Sequence, residues 1–256
     1  MKKIHFVASG SDGAQKALSN LISSYGNHPL ETAEQIVVLG GDGTMLGAIH
    51  TMLKANISLP IYGINHGTLG FLLNEPNASI NLPQRLEEAH ISSFHPLLLE
   101  ATHRDGSQSE VWAVNDVCAS RMGAQAIRLE VSIDHEIRLP FFSGDGMIVS
   151  TDLGSTAYNR SAHGPIIPLG ANILALTPIC AFQPVHFRGA LLHKNSIVDF
   201  KVIDGEYRKG FFAADNQELH DVVSARVQVD WSKSFSLQFD PGESLNMKRL
   251  KEQFLM

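Results

Sequence analysis

Apolar and polar positions change rhythm once along this chain, near Pro96, and the two rhythms predict two kinds of architecture. Before that point, short apolar runs alternate with helix-spaced segments. Ile4 to Ser9 (IHFVAS) predicts a strand, and Ala14, Ala17, Leu18, Leu21 and Ile22 recur at the spacing of one helix face. Ile36 to Leu39 (IVVL) is a β-branched run of the kind buried on both faces of a parallel sheet. Thr44 to Leu53 predicts a second helix and Pro60 to Asn65 a third strand. Such strand–helix alternation calls for right-handed crossovers and a mostly parallel sheet over roughly the first 95 residues.

After Pro96 the pattern becomes a succession of alternating strands: HPLLLEATHR, VWAVNDVCAS, IRLEVSI, IRLPFF and MIVST, then NSIVDFKVI, RKGFFAAD, ARVQVDWS and SFSLQFD. Turns such as Asp105-Gly106 and Asp204-Gly205 separate them. The final segment, ESLNMKRLKEQFL, reads as an amphipathic helix. The expected organisation is an α/β parallel-sheet domain over residues 1–95 plus 241–256 and a β-rich, sandwich-like domain over residues 96–240.

Composition narrows the partners. At 256 residues the chain can bury a substantial core, and 44% apolar with 18% charged residues is the balance of a folded soluble protein. A net charge of -6 argues against broad nucleic-acid binding, which needs many Lys and Arg facing phosphates. No apolar run approaches the length of a bilayer span, so no membrane partner is expected. Cys118 and Cys180 lack a C-x-x-C pattern and sit in apolar surroundings, which points to buried free thiols and a cytoplasmic protein. Twelve histidines form no zinc spacing, and no protein-built metal site is expected.

The chemistry is concentrated in two glycine-rich clusters. In VVLGGDGTML, an apolar strand runs into Gly40, Gly41, Asp42, Gly43 and Thr44 before a helix. Ligands of open α/β sheets sit beyond the carboxyl ends of the strands, where glycines let backbone N–H groups approach an oxyanion and a helix presents its positive end. The loop matches neither the dinucleotide fingerprint, which meets Leu46 at its last glycine, nor the P-loop, which would need Lys where Met45 stands. A carboxylate in a phosphate cradle suits a role on a cation or as acceptor of the proton of an attacking hydroxyl; alternatively Asp42 is a helix N-cap. The second cluster spans Ser143 to Pro168, with a second Gly-Asp-Gly at Gly144 to Gly146 and a GSTAY run at Gly154 to Tyr158 opening a short helix. Hydroxyls at a helix start can read a heterocycle edge and Tyr158 offers a stacking face. Between the clusters, Asn115-Asp116 interrupts an apolar strand and suits ribose hydroxyls or, equally, a bulge without a ligand. Ser155 lies in no nucleophile elbow and reads as a cap; His163 and His220 read as solvated or satisfied.

Taken in order, GGDGT at Gly40 to Thr44, NHGTLGF at Asn65 to Phe71, Asn115-Asp116, GDGMIVST and GSTAY across Gly144 to Tyr158, SAHGPI at Ser161 to Ile166 and ADNQ at Ala214 to Gln217 resemble the NAD kinase family over nearly the whole chain. The resemblance implies an N-terminal α/β domain, a β-sandwich-like domain and a final helix returning to the first domain. It implies transfer of the terminal phosphate of ATP to the 2′-hydroxyl of the adenosine ribose of NAD, giving NADP, with Mg2+ or another divalent cation on the phosphates. By the same resemblance Asp42 is the general base or orients that hydroxyl, and Gly41, Gly43 and Thr44 hold phosphates. Phe71 packs against adenine, Asn115, Asp116 and Gln217 bind the dinucleotide, and Asp145 lies near the nicotinamide. Thr156, Ala157, Tyr158 and Ser161 line the adenine and nicotinamide pockets. Homodimers or homotetramers, with sites completed by a neighbouring subunit, are the family's assembly.

Three positions depart from the family's pattern. Asp152-Leu153 replaces Pro-Thr, which either weakens a dinucleotide contact or lets Asp152 bond the following turn. Asn216 replaces a glycine, tolerable because Asn enters the left-handed region readily. Thr68 stands where a basic residue is frequent. Two rival readings are a lipid kinase sharing the GGDGT loop and a dinucleotide-binding regulator without turnover.

Overall fold

The computed structural model describes residues 2–67, 70–76 and 81–242. The chain divides into two compact units, Met1–His95 with Ser232–Met256, and Pro96–Trp231. The helix expected over residues 243–255 lies outside the described residues.

The first unit runs β1 (Ile4–Ala8), α1 (Asp12–Tyr25), β2 (Gln35–Gly40), α2 (Asp42–Ala55), β3 (Pro60–Asn65), α3 (Leu82–Glu88) and β4 (His90–Phe94). β1, β2 and β3 pair in parallel, as the crossover helices require. Every residue of β2 is buried, because helices cover both of its faces. Val37 and Leu39 share a core with Ile4, Phe6, Tyr62, Ile64 and Ala14, backed by Leu18, Leu21 and Ile22 of α1. The alternate residues turn to α2: Val38 pairs with Gly63, and a Cβ on Gly63 would come 2.5 Å from the Met45 methyl and 2.9 Å from Leu73 Cγ, so a side chain there would force its neighbours to move. Ser11 starts α1 by accepting the Ala14 N–H at 3.4 Å, whereas α2 begins at Gly41 with no side-chain cap.

The second unit is antiparallel throughout. It runs β5 (Leu97–His103), β6 (Gln108–Ala113), β7 (Asp116–Arg121), β8 (Ile127–Ile133), β9 (Glu136–Gly144), β10 (Gly146–Ser150), the short helix α4 (Tyr158–Ser161), β11 (Ile173–Ile179), β12 (Ala190–His193), β13 (Val198–Val202), β14 (Gly210–Ala214), β15 (Gln217–His220) and β16 (Val222–Val229). One sheet has the order β12-β11-β10-β7-β14-β15 and the other β6-β5-β16-β13-β8-β9. Alternate residues of both, among them Leu97, Leu99, Val117, Met147, Val149, Leu176, Phe200 and Phe212, meet in one core, which makes this unit a β-sandwich.

Two expectations change. SFSLQFD is not the last strand of the β-rich half: as β17 (Phe235–Phe239) it enters the first sheet, parallel to β3 and antiparallel to β4, giving the order β1-β2-β3-β17-β4. Its apolar alternation carries no record of which sheet it joins. VWAVNDVCAS is two strands with a break at Val114-Asn115. The apolar run NILALTPICAF (residues 172–182) contains the strand β11, with Leu174 and Leu176 in the sandwich core. Among the described residues no helix is long and apolar enough to cross a membrane.

Candidate active site

In the parallel sheet, Ala8 pairs with Leu39 and Gly40 with Asn65, so the loops leaving β1, β2 and β3 start side by side at one edge. GGDGT is the middle one. Gly40 is required by packing: a Cβ there would lie 2.5 Å from the Thr44 hydroxyl. Gly41 and Gly43 differ. Neither has a positive φ, and a Cβ on either would meet nothing within 4 Å. The protein's own packing gives no reason for glycine at these two positions, which leaves open backbone at the start of a 14-residue helix, a surface suited to phosphate oxygens.

Asp42 is the first residue of α2, not its cap. Its carboxylate reaches across to the segment after β3, where Oδ2 accepts the Phe71 N–H at 3.0 Å and Oδ1 the Leu72 N–H at 2.9 Å. Each oxygen retains acceptor capacity, and the group is only partly buried, so a substrate hydroxyl can still bond it. The segment is fixed from below by the fully buried Asn74, which donates to the carbonyls of Gly63 and Gln238 at 3.0 Å each and accepts the Asp240 N–H at 2.9 Å. Asn65 bonds the Gly67 N–H at 2.9 Å and packs on Gly70. Thr68 lies outside the described residues.

In the sandwich, Asn115 and Asp116 sit where β6 breaks and β7 begins. The break is clamped on both sides. Asp215 accepts the N–H groups of Val114 (2.7 Å), Asn115 (2.9 Å) and Asp116 (3.2 Å). Thr151 donates its hydroxyl to the carbonyls of Val114 (2.8 Å) and Asn115 (3.1 Å). Gly154, the first residue of GSTAY, lies against the same turn so closely that a Cβ would fall 2.0 Å from the Asn115 carbonyl oxygen. Thr156 closes a 3-10 turn, Gly154–Thr156, and Ala157 links it to α4, where Tyr158 is 46% exposed and Ser161 is exposed.

Electrostatics bring three of the expected residues together, Asp116, Asp145 and Tyr158. Burial raises the Tyr158 phenol above its ordinary value, and Cys118, Asp116, Asp145 and Cys180, all within range of it, raise it further. Asp116 is 7% exposed, and burial first, then the like charge of Asp215, push its carboxyl up to about 7. Burial pushes the Cys118 thiol up to about 12, with Asp116 adding to the effect. Asp145 is held by Arg121, whose Nε lies 2.6 Å from Oδ1. Gln217 opens β15, paired with Ala214 next to the Asp215 turn.

Sequence reasoning passed over Arg121, Thr151, Asn159 and Asp215, the residues that hold the others in place. Asn159 is fully buried beneath α4, accepting the Thr177 hydroxyl at 2.6 Å and donating to the Pro165 carbonyl at 2.9 Å. A buried Asn amid hydroxyls was the available signal. Two details are corrected. Cys180, just past the end of β11 and with a φ of 44, is exposed, unlike Cys118. The left-handed residue of the β14–β15 turn is Asp215 (φ 50) and not Asn216, so Asn at 216 costs no strain there. Asp152 resolves one alternative: buried, it accepts the N–H groups of Leu153 and Gly170 at 2.9 Å each, tying the segment after GSTAY to its start. Ser155 is a structural bridge between the Asp152 carbonyl (2.8 Å) and the Ile167 N–H (3.0 Å). Among the described residues no group of three His, Cys, Asp or Glu is set to hold an ion.

Comparison with known proteins finds relatives of both halves of the chain. The model of the ATP-NAD kinase N-terminal domain matches residues 3–88 and that of the ATP-NAD kinase C-terminal domain matches residues 114–225. NAD kinases of Hyphomonas neptunium and Brucella suis are 40% and 41% identical to the chain, covering 98% of it and 98% and 96% of their own lengths. A Cereibacter sphaeroides NAD kinase is 43% identical over 99% of both chains. In fold, the chain resembles an NAD kinase from Archaeoglobus fulgidus in complex with ATP (TM-score 0.76, 24% identity, 98% of this chain and 97% of that one). It also resembles a yeast NADH kinase complexed with NADH (TM-score 0.81, 20% identity, 99% and 87%). With matches in both domains and relatives aligned end to end, the chain belongs to the NAD kinase family.

Proposed function

We propose residue roles for the reaction that family membership carries, transfer of the terminal phosphate of ATP to the 2′-hydroxyl of the adenosine ribose of NAD. The observation that supports them best is the pairing of a partly open Asp42 carboxylate with glycines 41 and 43 that the fold itself does not need. Phosphate oxygens meet the backbone N–H groups of Gly41 and Gly43, with Thr44, whose own N–H bonds the Gly41 carbonyl at 3.0 Å, beside them, and Asp42 accepts the hydrogen of the attacking hydroxyl. An aliphatic hydroxyl is too weak an acid to ionise near neutral pH, and bonding to a fixed carboxylate raises its nucleophilicity as the phosphoryl group transfers. Mg2+ bound to the donor phosphates would neutralise their charge, with Asp42 the loop's anionic group toward it. Phe71, locked through its N–H to Asp42, contributes its ring to the adenine.

In the sandwich unit, Asn115 and Asp116 bond ribose hydroxyls and base edge, and Tyr158 stacks on a ring with Thr156, Ala157, Ser161 and Gln217 around it. Asp145, oriented by Arg121, bonds the carboxamide of the nicotinamide. The protein works in the cytoplasm as a homo-oligomer, dimer or tetramer, with neighbouring subunits completing each site. The test is to incubate purified protein with NAD, ATP and Mg2+, with Asp42→Asn in parallel, and to quantify NADP. NADP from the wild type alone is expected. Comparable NADP from the variant would remove Asp42 from the chemistry.

A further inference from the structure

Asp215 belongs to neither glycine-rich cluster, yet its carboxylate serves three consecutive backbone N–H groups about a hundred residues earlier in the chain, those of Val114, Asn115 and Asp116, at 2.7, 2.9 and 3.2 Å. The Asp215 N–H in turn bonds the Asp116 carbonyl at 3.0 Å, so the two aspartates are locked backbone to backbone. Asp215 does this from a left-handed conformation, φ 50, which turns the chain sharply enough to aim its side chain back along β7. Three N–H groups converging on one carboxylate form an anion nest built by the fold and filled by the fold's own residue. The break between β6 and β7 is therefore a held conformation, not a slack bulge.

The same closeness puts Asp215 Oδ1 3.2 Å from the Asp116 backbone nitrogen, so that its charge acts on the buried Asp116 carboxyl. Asp116 faces Asp215 from the β14–β15 turn, Cys118 from its own strand and Tyr158 from α4; none of these supplies a positive charge. We propose that Asp215 is a positioning residue for dinucleotide binding, shaping the break so that Asn115 and Asp116 are presented together and making NAD affinity depend on pH through its charge beside Asp116. The proposal rests on the reading of Asn115 and Asp116 as nucleoside-binding. A carboxylate Asp116 accepts hydrogen bonds from two ribose hydroxyls, whereas a protonated one must spend an oxygen as a donor. With Asp116 titrating at about 7, the accepting form gains population as pH rises through neutrality.

The experiment is NAD binding by titration calorimetry between about pH 5.5 and 9 for wild type, Asp116→Asn, Asp215→Asn and Tyr158→Ala, with thermal melting of each protein alongside. Wild-type affinity is expected to rise with a midpoint near 7, and Asp116→Asn to give a weaker, flat profile. Asp215→Asn removes the neighbouring charge and leaves at least one N–H unpaired. It should move the midpoint down by about one pH unit and weaken NAD about tenfold at the alkaline end. A purely structural role would weaken NAD equally at every pH and leave the midpoint where it was; that result overturns the coupling. Should Asp215→Asn fail to fold, the Asp116→Asn profile still decides, since a pH dependence retained in that variant overturns the proposal. Unchanged NAD affinity in both Asp116→Asn and Tyr158→Ala is the separate outcome in which the nucleoside-site reading itself fails.

Discussion

The Asp42 carboxylate and the Leu72 backbone are joined by a 2.9 Å hydrogen bond across the mouth of the parallel sheet, and a parallel bond to Phe71 uses the second oxygen at 3.0 Å. The group placed to take a proton is thus also a strut between two loops. Asp42→Asn should lower kcat by about a hundredfold to ten-thousandfold, the usual worth of a positioned general base. It should also destabilise the fold by about 1–2 kcal/mol, because an amide has one acceptor oxygen for two N–H groups. Steady-state kinetics and a melting curve on the same preparation separate the effects; a lower melting temperature with full activity would leave Asp42 as a strut alone.

Gly43→Ala is expected to move stability and activity in opposite directions. Position 43 is in the first turn of α2, and a Cβ there meets nothing within 4 Å. Alanine is the better helix former by about 0.5–1 kcal/mol, so the variant should melt no lower than wild type. The added methyl stands where phosphate oxygens approach, and activity should fall at least about tenfold through a higher KM for ATP. An active Gly43→Ala would mean that the loop leaves the phosphates untouched.

The sequence made the first half of the fold readable because helix-spaced and strand-like runs alternate cleanly, and β2, α2 and β3 fall where the pattern puts them. Each Gly-Asp-Gly by itself also suited a simple helix cap or turn, and only the ordered set of motifs along the chain pointed to one family. What it did not carry were partners distant along the chain. Phe235–Phe239 has the alternation of any antiparallel strand, and only pairing with β3 and β4 assigns it to the first sheet. Likewise Asp215 reads as an ordinary turn residue until the fold brings Val114, Asn115 and Asp116 to it. The Asp42 cap reading failed for the same reason, since the N–H groups that captured its carboxylate lie about thirty residues away.

Arg85 is a stability residue of the first unit. It is 5% exposed on α3, with one Nη 2.5 Å from Asp240 and 2.7 Å from the Glu75 carbonyl and its guanidinium 5.4 Å above the Tyr62 ring. Tyr62 donates to the other Asp240 oxygen at 2.5 Å. Removing the cation leaves Asp240 without its counter-charge, and Arg85→Met should cost roughly 3–5 kcal/mol, while adding Asp240→Asn recovers part of it. Chemical denaturation of the single and double variants checks this; additive losses would show that the pair is not coupled.

Asp116 should leave a mark on folding as well as on binding. Its carboxyl titrates near 3.8 in the unfolded chain and is pushed up to about 7 in the folded one, by burial and then by Asp215. Between those values the folded state holds a proton that the unfolded state has released, so raising the pH favours unfolding. The contribution is fully present below about pH 4, declines through neutrality and is gone above the folded value, a total on the order of 4 kcal/mol. Asp116→Asn removes the charge that causes it. Relative to wild type, the variant should therefore be clearly more stable at about pH 8.5 than at about pH 4.5, the difference approaching that total. Denaturation curves of both proteins at the two pH values measure it directly. A difference near zero would mean that Asp116 stays ionised in the fold, and that water or a cation reaches it in spite of its burial.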